Sequence, residues 1–353
     1  MISRKFALAA FAGITALSSL ASAGVQTPGS LIVFPVFDNR LYNGSLRNLT
    51  LLSVTNTNTS ESVEVHFVYR NGVNCLQTDR FEVLTPNDTF SAITAFHNPN
   101  QDQGYCYVYA RNPLTHEAIK FDYLTAVQMD LRGDLDVVDD ASFEFTPFVF
   151  KAAGLRRLAH GSPTDVDHDG LRDLNGKEYE TVSDVLYFPR FFGQSTAMNG
   201  LMPQFKSDLV LINLTGGKLF DAIVHFEIFN DNEVPTSAEY MFRCWARVPL
   251  AGDSGINNAF NDDYLRNATN NDPQEAFGAP SGFPETGWFS IDGITADSTA
   301  ASFANPAILG VLIENDRGHN RSGGAVMPFG SVEAQDNGDL LSLGLLGDTD
   351  DMP

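Results

Sequence analysis

The sequence is poor in basic residues and, after its first 23 positions, has no apolar run long enough to cross a membrane as a helix. Its 353 residues include 22 lysines and arginines against 44 aspartates and glutamates, and the formal net charge is −22. Nucleic acids and anionic membranes are bound through basic surfaces, so the composition argues against both as partners. The lack of a long apolar run after position 23 also predicts that the mature protein has no transmembrane segment. Cations and basic surfaces are better matched to this charge.

Cysteine is scarce as well, with three residues at positions 75, 106 and 244. Three cysteines without a cluster of histidines exclude the usual zinc sites. In an oxidising compartment they predict one disulfide and one free thiol. We expect Cys75 to pair with Cys106 because both lie in the first half of the chain. Cys244 is then expected to be a buried thiol on a strand face.

The first residues are typical of a secretory signal peptide. A basic pair at positions 4 and 5 precedes an apolar run that ends in the small-residue sequence Ala21-Ser22-Ala23. This order matches the charged, apolar and cleavage regions of a leader. The prediction is a signal peptide over residues 1–23 and a mature protein that is secreted, periplasmic or displayed on the cell surface.

The rest of the chain has the pattern of an all-β protein. Short runs of β-branched and aromatic residues are separated by Asn, Asp, Gly and Pro, and long helical periodicity is absent. In the run from Val63 to Tyr69, strict alternation places Val63, Val65, Phe67 and Tyr69 on one face. The fold class predicted is all-β, with two tandem immunoglobulin-like β-sandwich domains.

Two halves of the chain resemble each other, which indicates an internal repeat. Residues 222–230 echo residues 63–71 at an offset of 159, and a Phe-Pro pair occurs early in each half. Equating residues 311–315 with 108–112 leaves a long insertion in the second half, expected to be a binding loop. The predicted organisation is a first sandwich at 24–150, an acidic calcium-loop linker at 151–182, a second sandwich at 183–332 with an insertion at 251–299, and an acidic tail at 333–353.

The sharpest chemical signal lies in that linker. Acids at alternate positions followed by Gly170 can converge on one hard cation, because the glycine allows the turn that closes the loop. The expected calcium ligands are Asp165, Asp167, Asp169, the backbone carbonyl of Leu171, Asp173 and Glu178. Glu180 is an alternative to Glu178 as the closing ligand. The predicted cofactor is Ca²⁺, with a structural role at the junction.

This stretch resembles the calcium repeats of thrombospondin type 3 and, more loosely, an EF-hand. The resemblance covers residues 165–173 and implies calcium as the ligand. It departs from both patterns at the twelfth position, where Gly176 stands in place of an acid. The sequence Phe-Pro-x-Phe-Asp-Asn-Arg at residues 34–40 is similar to that of uncharacterised secreted bacterial β-sandwich proteins, which implies no activity.

The expected function is that of a secreted or cell-surface, non-catalytic structural or adhesive protein that self-associates. One alternative is a carbohydrate-binding module, in which loop aromatics stack on sugar rings. The candidate aromatics are Tyr264, Phe283, Trp288 and Phe289. A second alternative is a serine hydrolase, since residues 252–255 read Gly-Asp-Ser-Gly and resemble the nucleophile loop of trypsin-like proteases. Ser254 would then require His97 as its base.

Overall fold

The computed structural model describes residues 26–42, 45–46, 48–132, 142–152, 158–168, 170–193, 205–215, 221–230, 233–251, 255–261, 264–265, 286–295, 306–316 and 321–331. The predicted signal peptide and acidic tail lie outside these ranges. The regular structure within them is almost entirely antiparallel β, which confirms the all-β prediction. One short α-helix, α1, covers Thr94–His97. No helix in the described part of the chain combines the length and the apolar character needed to cross a membrane.

The first half forms a sandwich of two sheets. Its strands are β1 Leu31–Asp38, β2 Leu41–Tyr42, β3 Ser45–Leu46, β4 Asn48–Asn56, β5 Val63–Asn71, β6 Gln77–Leu84, β7 Thr89–Ile93, β8 Gln103–Arg111, β9 Leu124–Arg132, β10 Ser142–Phe145 and β11 Phe148–Phe150. Sheet 1 has the order β10-β9-β4-β7, and sheet 2 has the order β11-β1-β8-β5-β6. The short strands β2 and β3 pair with each other in a separate two-stranded sheet.

The second half forms another sandwich. Its strands are β12 Leu186–Phe192, β13 Phe205–Asn213, β14 Ala222–Asn230, β15 Pro235–Phe242, β16 Trp245–Pro249, β17 Thr286–Thr295, β18 Ile308–Asp316, β19 Arg321–Val326 and β20 Phe329–Gly330. Sheet 3 has the order β16-β13-β18-β19, and sheet 4 has the order β15-β14-β17-β12-β20. Apart from β2 and β3, the strand order of sheet 3 matches that of sheet 1, and sheet 4 matches sheet 2.

The immunoglobulin-like assignment is not confirmed. In constant-type immunoglobulin domains the first two strands lie in the same sheet. Here β1 lies in sheet 2 and β4 in sheet 1, and the corresponding β12 and β13 are divided between sheets 4 and 3. The two halves therefore share one strand arrangement, and it differs from that of a constant-type immunoglobulin domain.

The shared Phe-Pro pair marks the same irregularity in both halves. The register of β1 against β8 shifts between Phe34 and Phe37, and that of β12 against β17 shifts between Phe188 and Phe191. Proline has no N–H to donate to a neighbouring strand, so it is tolerated where a bulge interrupts the hydrogen-bond ladder. The sequence repeat thus corresponds to a repeated β-bulge.

The predicted insertion at 251–299 is wrong in part, because residues 286–295 form β17, an interior strand of sheet 4. The glycines that made this segment read as a loop serve close packing. A Cβ on Gly287 would lie 2.2 Å from the carbonyl oxygen of Phe229, and one on Gly293 would lie 2.5 Å from that of Pro306. β17 takes the place of β8, and residues 311–315 lie in β18, which corresponds to β9 rather than to β8.

The four sheets stack in the order 1, 2, 3, 4, with a buried apolar cluster in each of the three gaps. One cluster fills the first sandwich and another fills the second. A third, here called the junction cluster, combines residues of sheets 2 and 3 with Phe145 of β10 in sheet 1 and with residues of the segment 151–182. In β1, Ile32 and Phe34 belong to the cluster inside the first sandwich, whereas Leu31 and Val33 belong to the junction cluster. Both faces of sheet 2 are therefore buried at its central strands.

The junction cluster is rich in aromatic and β-branched side chains. Sheet 2 supplies Tyr105, Tyr107 and Tyr109 from β8, and sheet 3 supplies Val210, Ile212, Leu309, Val311 and Ile313 from β13 and β18. Trp245 of β16 lies in the same cluster and donates a hydrogen bond from Nε1 to the carbonyl oxygen of Pro35, at 2.9 Å. A Cβ on Gly72 would come within 2.3 Å of its ring, so the indole packs directly on this backbone.

The predicted disulfide between Cys75 and Cys106 is wrong. Cys75 is bonded to Cys244, 169 positions away, with the two Cα atoms 6.0 Å apart. Cys106 is the free, buried thiol, because alternation along β8 turns its side chain into the first sandwich. Cys244 lies between β15 and β16 beside Trp245, so stacking of the two sandwiches brings it to Cys75.

Loss of this bridge should destabilise the stacked molecule. We expect Cys244→Ser to lower the free energy of unfolding by about 2–5 kcal/mol, since a disulfide that closes a long loop restricts the unfolded chain. Urea unfolding measures the change. Non-reducing peptide mapping should recover the peptides of Cys75 and Cys244 linked together in wild type and in Cys106→Ala. A bridge that contains Cys106 would contradict the assignment.

Candidate metal site

The linker between the sandwiches is packed against them rather than surrounded by solvent. Leu171, Leu174, Tyr179 and Val182 are buried in the junction cluster. Backbone hydrogen bonds also tie the linker to the first sandwich, for example from the N–H of Thr164 to the carbonyl oxygen of Ala118. The acidic loop therefore lies on a segment that backbone hydrogen bonds hold to the first sandwich and that buried side chains hold in the junction cluster.

Three carboxylates of this segment meet. One carboxylate oxygen from each of Asp165, Asp167 and Glu178 lies within 4.8 Å of the others, close enough for one metal ion to contact all three. Asp167 is exposed, Asp165 is half-buried and Glu178 is buried. These are three of the six predicted ligands. Asp169 lies outside the described residues.

A short detour in the backbone brings Glu178 to the cluster. Gly176, at the position where the calcium-repeat pattern has an acid, has a φ of +75°, a left-handed conformation that glycine adopts readily. The side-chain oxygen of Asn175 accepts hydrogen bonds from the N–H groups of Lys177 and Glu178, which closes the turn. Glu180 is exposed and accepts from the N–H of Lys151 instead. Of the two expected closing ligands, only Glu178 belongs to the cluster.

Backbone groups fix the orientation of the buried carboxylate. Oε1 of Glu178 accepts a hydrogen bond from the N–H of Val166 at 2.6 Å, and Oε2 accepts from the N–H of Asp173 at 3.2 Å. Each bond joins Glu178 to the acidic stretch of the loop. These two backbone hydrogen bonds therefore fix the position of the Glu178 side chain in the loop.

The electrostatics of the cluster favour a positive partner. Burial raises the pKa of Glu178 to about 7, and the neighbouring Asp173 and Asp165 act in the same direction, against its two backbone hydrogen bonds. Oδ1 of Asp165 and Oδ1 of Asp173 are both buried without a hydrogen-bond partner. Buried carboxylate oxygens without partners are costly, and a bound cation would satisfy them. An all-oxygen donor set suits a hard cation such as Ca²⁺.

Two further predicted ligands have other contacts. The backbone carbonyl of Leu171 accepts a hydrogen bond from the guanidinium of Arg172, and Oδ2 of Asp173 accepts one from the Asn175 amide at 2.9 Å. Their roles as ligands stay predictions. Sequence reasoning missed Arg172, which is buried and places its guanidinium carbon 4.6 Å from the ring centroid of Tyr109. This cation–π contact connects the loop to the junction cluster.

His97, the base of the hydrolase alternative, has the environment of a structural histidine. Its Nδ1 lies 2.8 Å from the hydroxyl oxygen of Tyr69, and its ring packs edge-on against Phe67. Burial and the neighbouring Arg80 lower the pKa of His97 from 6.5 to about 4. Ser254 lies outside the described residues, so the pairing of the two stays a prediction.

The aromatics of the carbohydrate alternative are divided. Phe289 is fully buried in the second sandwich, so its prediction as a sugar-stacking residue is wrong. Tyr264 and Trp288 are exposed, and Trp288 stacks on Phe229 with ring centroids 4.4 Å apart. Phe283 lies outside the described residues.

The environment of His97 predicts a pH dependence of stability. Folding holds this side chain neutral, whereas the unfolded chain binds a proton near pH 6.5. The contribution is therefore present above pH 6.5 and is lost as the pH falls toward 4. His97→Gln removes the titration, so we expect its free energy of unfolding to fall less steeply than that of wild type between these pH values. Urea unfolding at several pH values measures both, and parallel curves would contradict the prediction.

No protein-family model, curated protein or solved structure matches this chain.

Proposed function

We propose that this protein is a secreted or cell-surface, non-catalytic structural protein in which Ca²⁺ holds the linker against the junction of two stacked sandwiches. The observation that carries the proposal is the convergence of Asp165, Asp167 and Glu178 within reach of one ion. Between these ligands the same segment places Leu171 and Leu174 in the junction cluster. An ion bound here would stabilise the packing of Leu171 and Leu174, since its ligands lie on the same segment on either side of them.

The ion would stabilise the junction by closing the loop. Asp165 and Asp167 lie near the start of the acidic stretch and Glu178 near its end, so one cation joins both ends of the segment that enters the cluster. Closing the loop lowers the entropic cost of ordering the residues between the ligands. It also neutralises carboxylates that repel one another. Arg172, placed over Tyr109, then fixes the middle of the loop to sheet 2.

Secretion is supported by two independent features. The leader-like residues at the amino terminus match a cleavable signal. A disulfide between the two sandwiches is a feature of proteins that fold in an oxidising compartment. Extracellular calcium is abundant enough to fill sites of modest affinity, in the range typical of extracellular modules.

Calcium titration of the mature protein by calorimetry tests the site. We expect one class of site in wild type and a loss of affinity of at least tenfold in Asp167→Asn, because that change removes one charged ligand. Asp167 is exposed, so the substitution should leave the fold intact. Glu180→Gln is the matched control, since it removes an equal charge from the same linker outside the cluster. Equal affinities in the two variants would contradict the assignment.

Calcium should also raise the stability of the protein. Binding to the native state alone adds RT ln(1 + [Ca²⁺]/Kd), which is about 2.7 kcal/mol at a hundredfold excess over Kd. Thermal unfolding with calcium and with chelator should therefore differ in wild type and in Glu180→Gln, and hardly at all in Asp167→Asn. A chelator that leaves the wild-type midpoint unchanged would show that the junction does not depend on the ion.

A further inference from the structure

The outer face of sheet 4 carries exposed apolar side chains toward both ends of its strands. At one end, Met241 and Ile294 are 59% and 44% exposed. Toward the other end, Trp288, Tyr187 and Phe329 are 36%, 39% and 66% exposed. A group of exposed apolar side chains on one sheet face is typical of an interaction surface.

Between these apolar groups the same face is acidic. Three neighbouring strands place carboxylates there, Glu227 on β14, Glu239 on β15 and Asp292 on β17. The last two are the register partners of His225 on either side. These three described strands contain no lysine or arginine, so His225 is the only side chain on them that can carry a positive charge. Acidic side chains therefore outnumber cationic ones on this part of the face.

The electrostatics of Asp292 reflect the negative charge around it. Burial raises the pKa of Asp292, and the neighbouring Asp184 and Glu227 act in the same direction. The N–H of Gly293 and the ring of His225 act against them. A cation placed here would favour the ionised carboxylate, since opposite charges attract. The face is therefore better matched to a positively charged partner than to a neutral one.

The corresponding positions of sheet 2 are apolar. His66 corresponds to His225 in the repeat, and its register partners are Phe81 and Tyr109. In sheet 4 both partners of the histidine are carboxylates instead. Tyr109 and Val68 of sheet 2 are buried in the junction cluster. Sheet 2 can thus pack on another sheet, whereas sheet 4 would bury carboxylates in such a contact, which is costly unless the partner brings cations to them.

We propose that the outer face of sheet 4 docks a partner protein through an extended segment rich in lysine or arginine. The carboxylates of Glu227, Glu239 and Asp292 accept hydrogen bonds from the ammonium or guanidinium groups of that segment. Trp288 and Tyr187 pack against the aliphatic stems of the same side chains and attract their charge through the ring faces. This partner goes beyond the structural role proposed above and uses none of the calcium ligands.

The spacing of the carboxylates fits an extended segment. Glu239 and Asp292 lie two strands apart in one row, and Glu227 lies one step along the strand between them. Neighbouring strands are about 5 Å apart and side chains on one face of a strand repeat at about 7 Å, so the three positions are about 8–10 Å from one another. Alternate side chains of an extended chain repeat at about 7 Å, and long cationic side chains extend the reach of each.

Binding of a synthetic peptide to the mature protein tests the proposal. The probe is a fluorescein-labelled peptide of alternating arginine and serine, and the control peptide has citrulline, which keeps the shape of arginine without its charge. Fluorescence anisotropy measures both affinities in physiological salt with Ca²⁺. We expect wild type to bind the arginine peptide at least about tenfold more tightly than the citrulline peptide, because the carboxylates pair with charge.

Paired variants show whether the peptide binds at this face. We expect Glu227→Gln combined with Glu239→Gln to weaken binding at least about tenfold. Asp102→Asn combined with Glu117→Gln is the control, since it removes an equal charge from exposed positions of the first half and should leave the affinity nearly unchanged.

The aromatic part of the face is tested separately. We expect Trp288→Ala to weaken binding at least about fivefold, because it removes the ring that packs on the peptide. Phe96→Ala is the control, since Phe96 is 74% exposed on α1, away from sheet 4. Tyr187→Ala takes the place of Trp288→Ala if that variant fails to fold.

An arginine peptide that does not bind wild type would overturn the proposal, as would equal losses in the two doubly substituted variants, which would indicate attraction to net charge alone. Retention of wild type on dextran, released by Trp288→Ala, together with no preference for the arginine peptide would assign the face to neutral carbohydrate. Asp167→Asn separates this test from that of the metal site. It should bind the peptide as wild type does, and loss of peptide binding in Asp167→Asn would place the peptide at the calcium loop instead.

Discussion

The burial of sheet 2 on both faces is the constraint on which the rest of the structure depends. In a two-layer sandwich one face of each sheet meets water, and alternate residues are polar. Here β1, β5 and β8 direct apolar side chains into the first sandwich on one face and into the junction cluster on the other. The second sandwich is therefore part of the environment that the first one folds into. The disulfide, the indole of Trp245 and the packed linker all contribute to that single contact.

The predictions that the structure confirms rest on local properties of the sequence. Alternation is a local property of a strand, and it correctly placed Val63, Val65, Phe67 and Tyr69 on one buried face. The Phe-Pro pairs are also local, since proline interrupts the ladder wherever it falls, and they mark the bulge in both halves. The spacing of acids in the linker likewise identified Asp165 and Asp167, which the fold brings together with Glu178, one of the two acids expected to close the loop.

The failures have a common physical cause, which is that they depend on contacts between distant segments. Nothing near Cys75 or Cys244 in the sequence indicates that the two halves stack so as to bring these residues together. Gly287 and Gly293 read as turn residues because the close backbone approach that requires glycine comes from Phe229 and Pro306 in other segments. The burial of Arg172 over Tyr109 had no sequence signal either, since an arginine in an acidic loop is expected to be solvated.

The Cys75–Cys244 bridge also makes the middle of the protein a covalent ring. The ring contains everything between the two cysteines, including the linker and most strands of the first sandwich. A protease that cuts the chain once inside it, for example after the arginine pair at positions 156 and 157, leaves one molecule whose two pieces separate only on reduction. The protein would thus keep both of its halves in one molecule after a single cut in the segment that joins them.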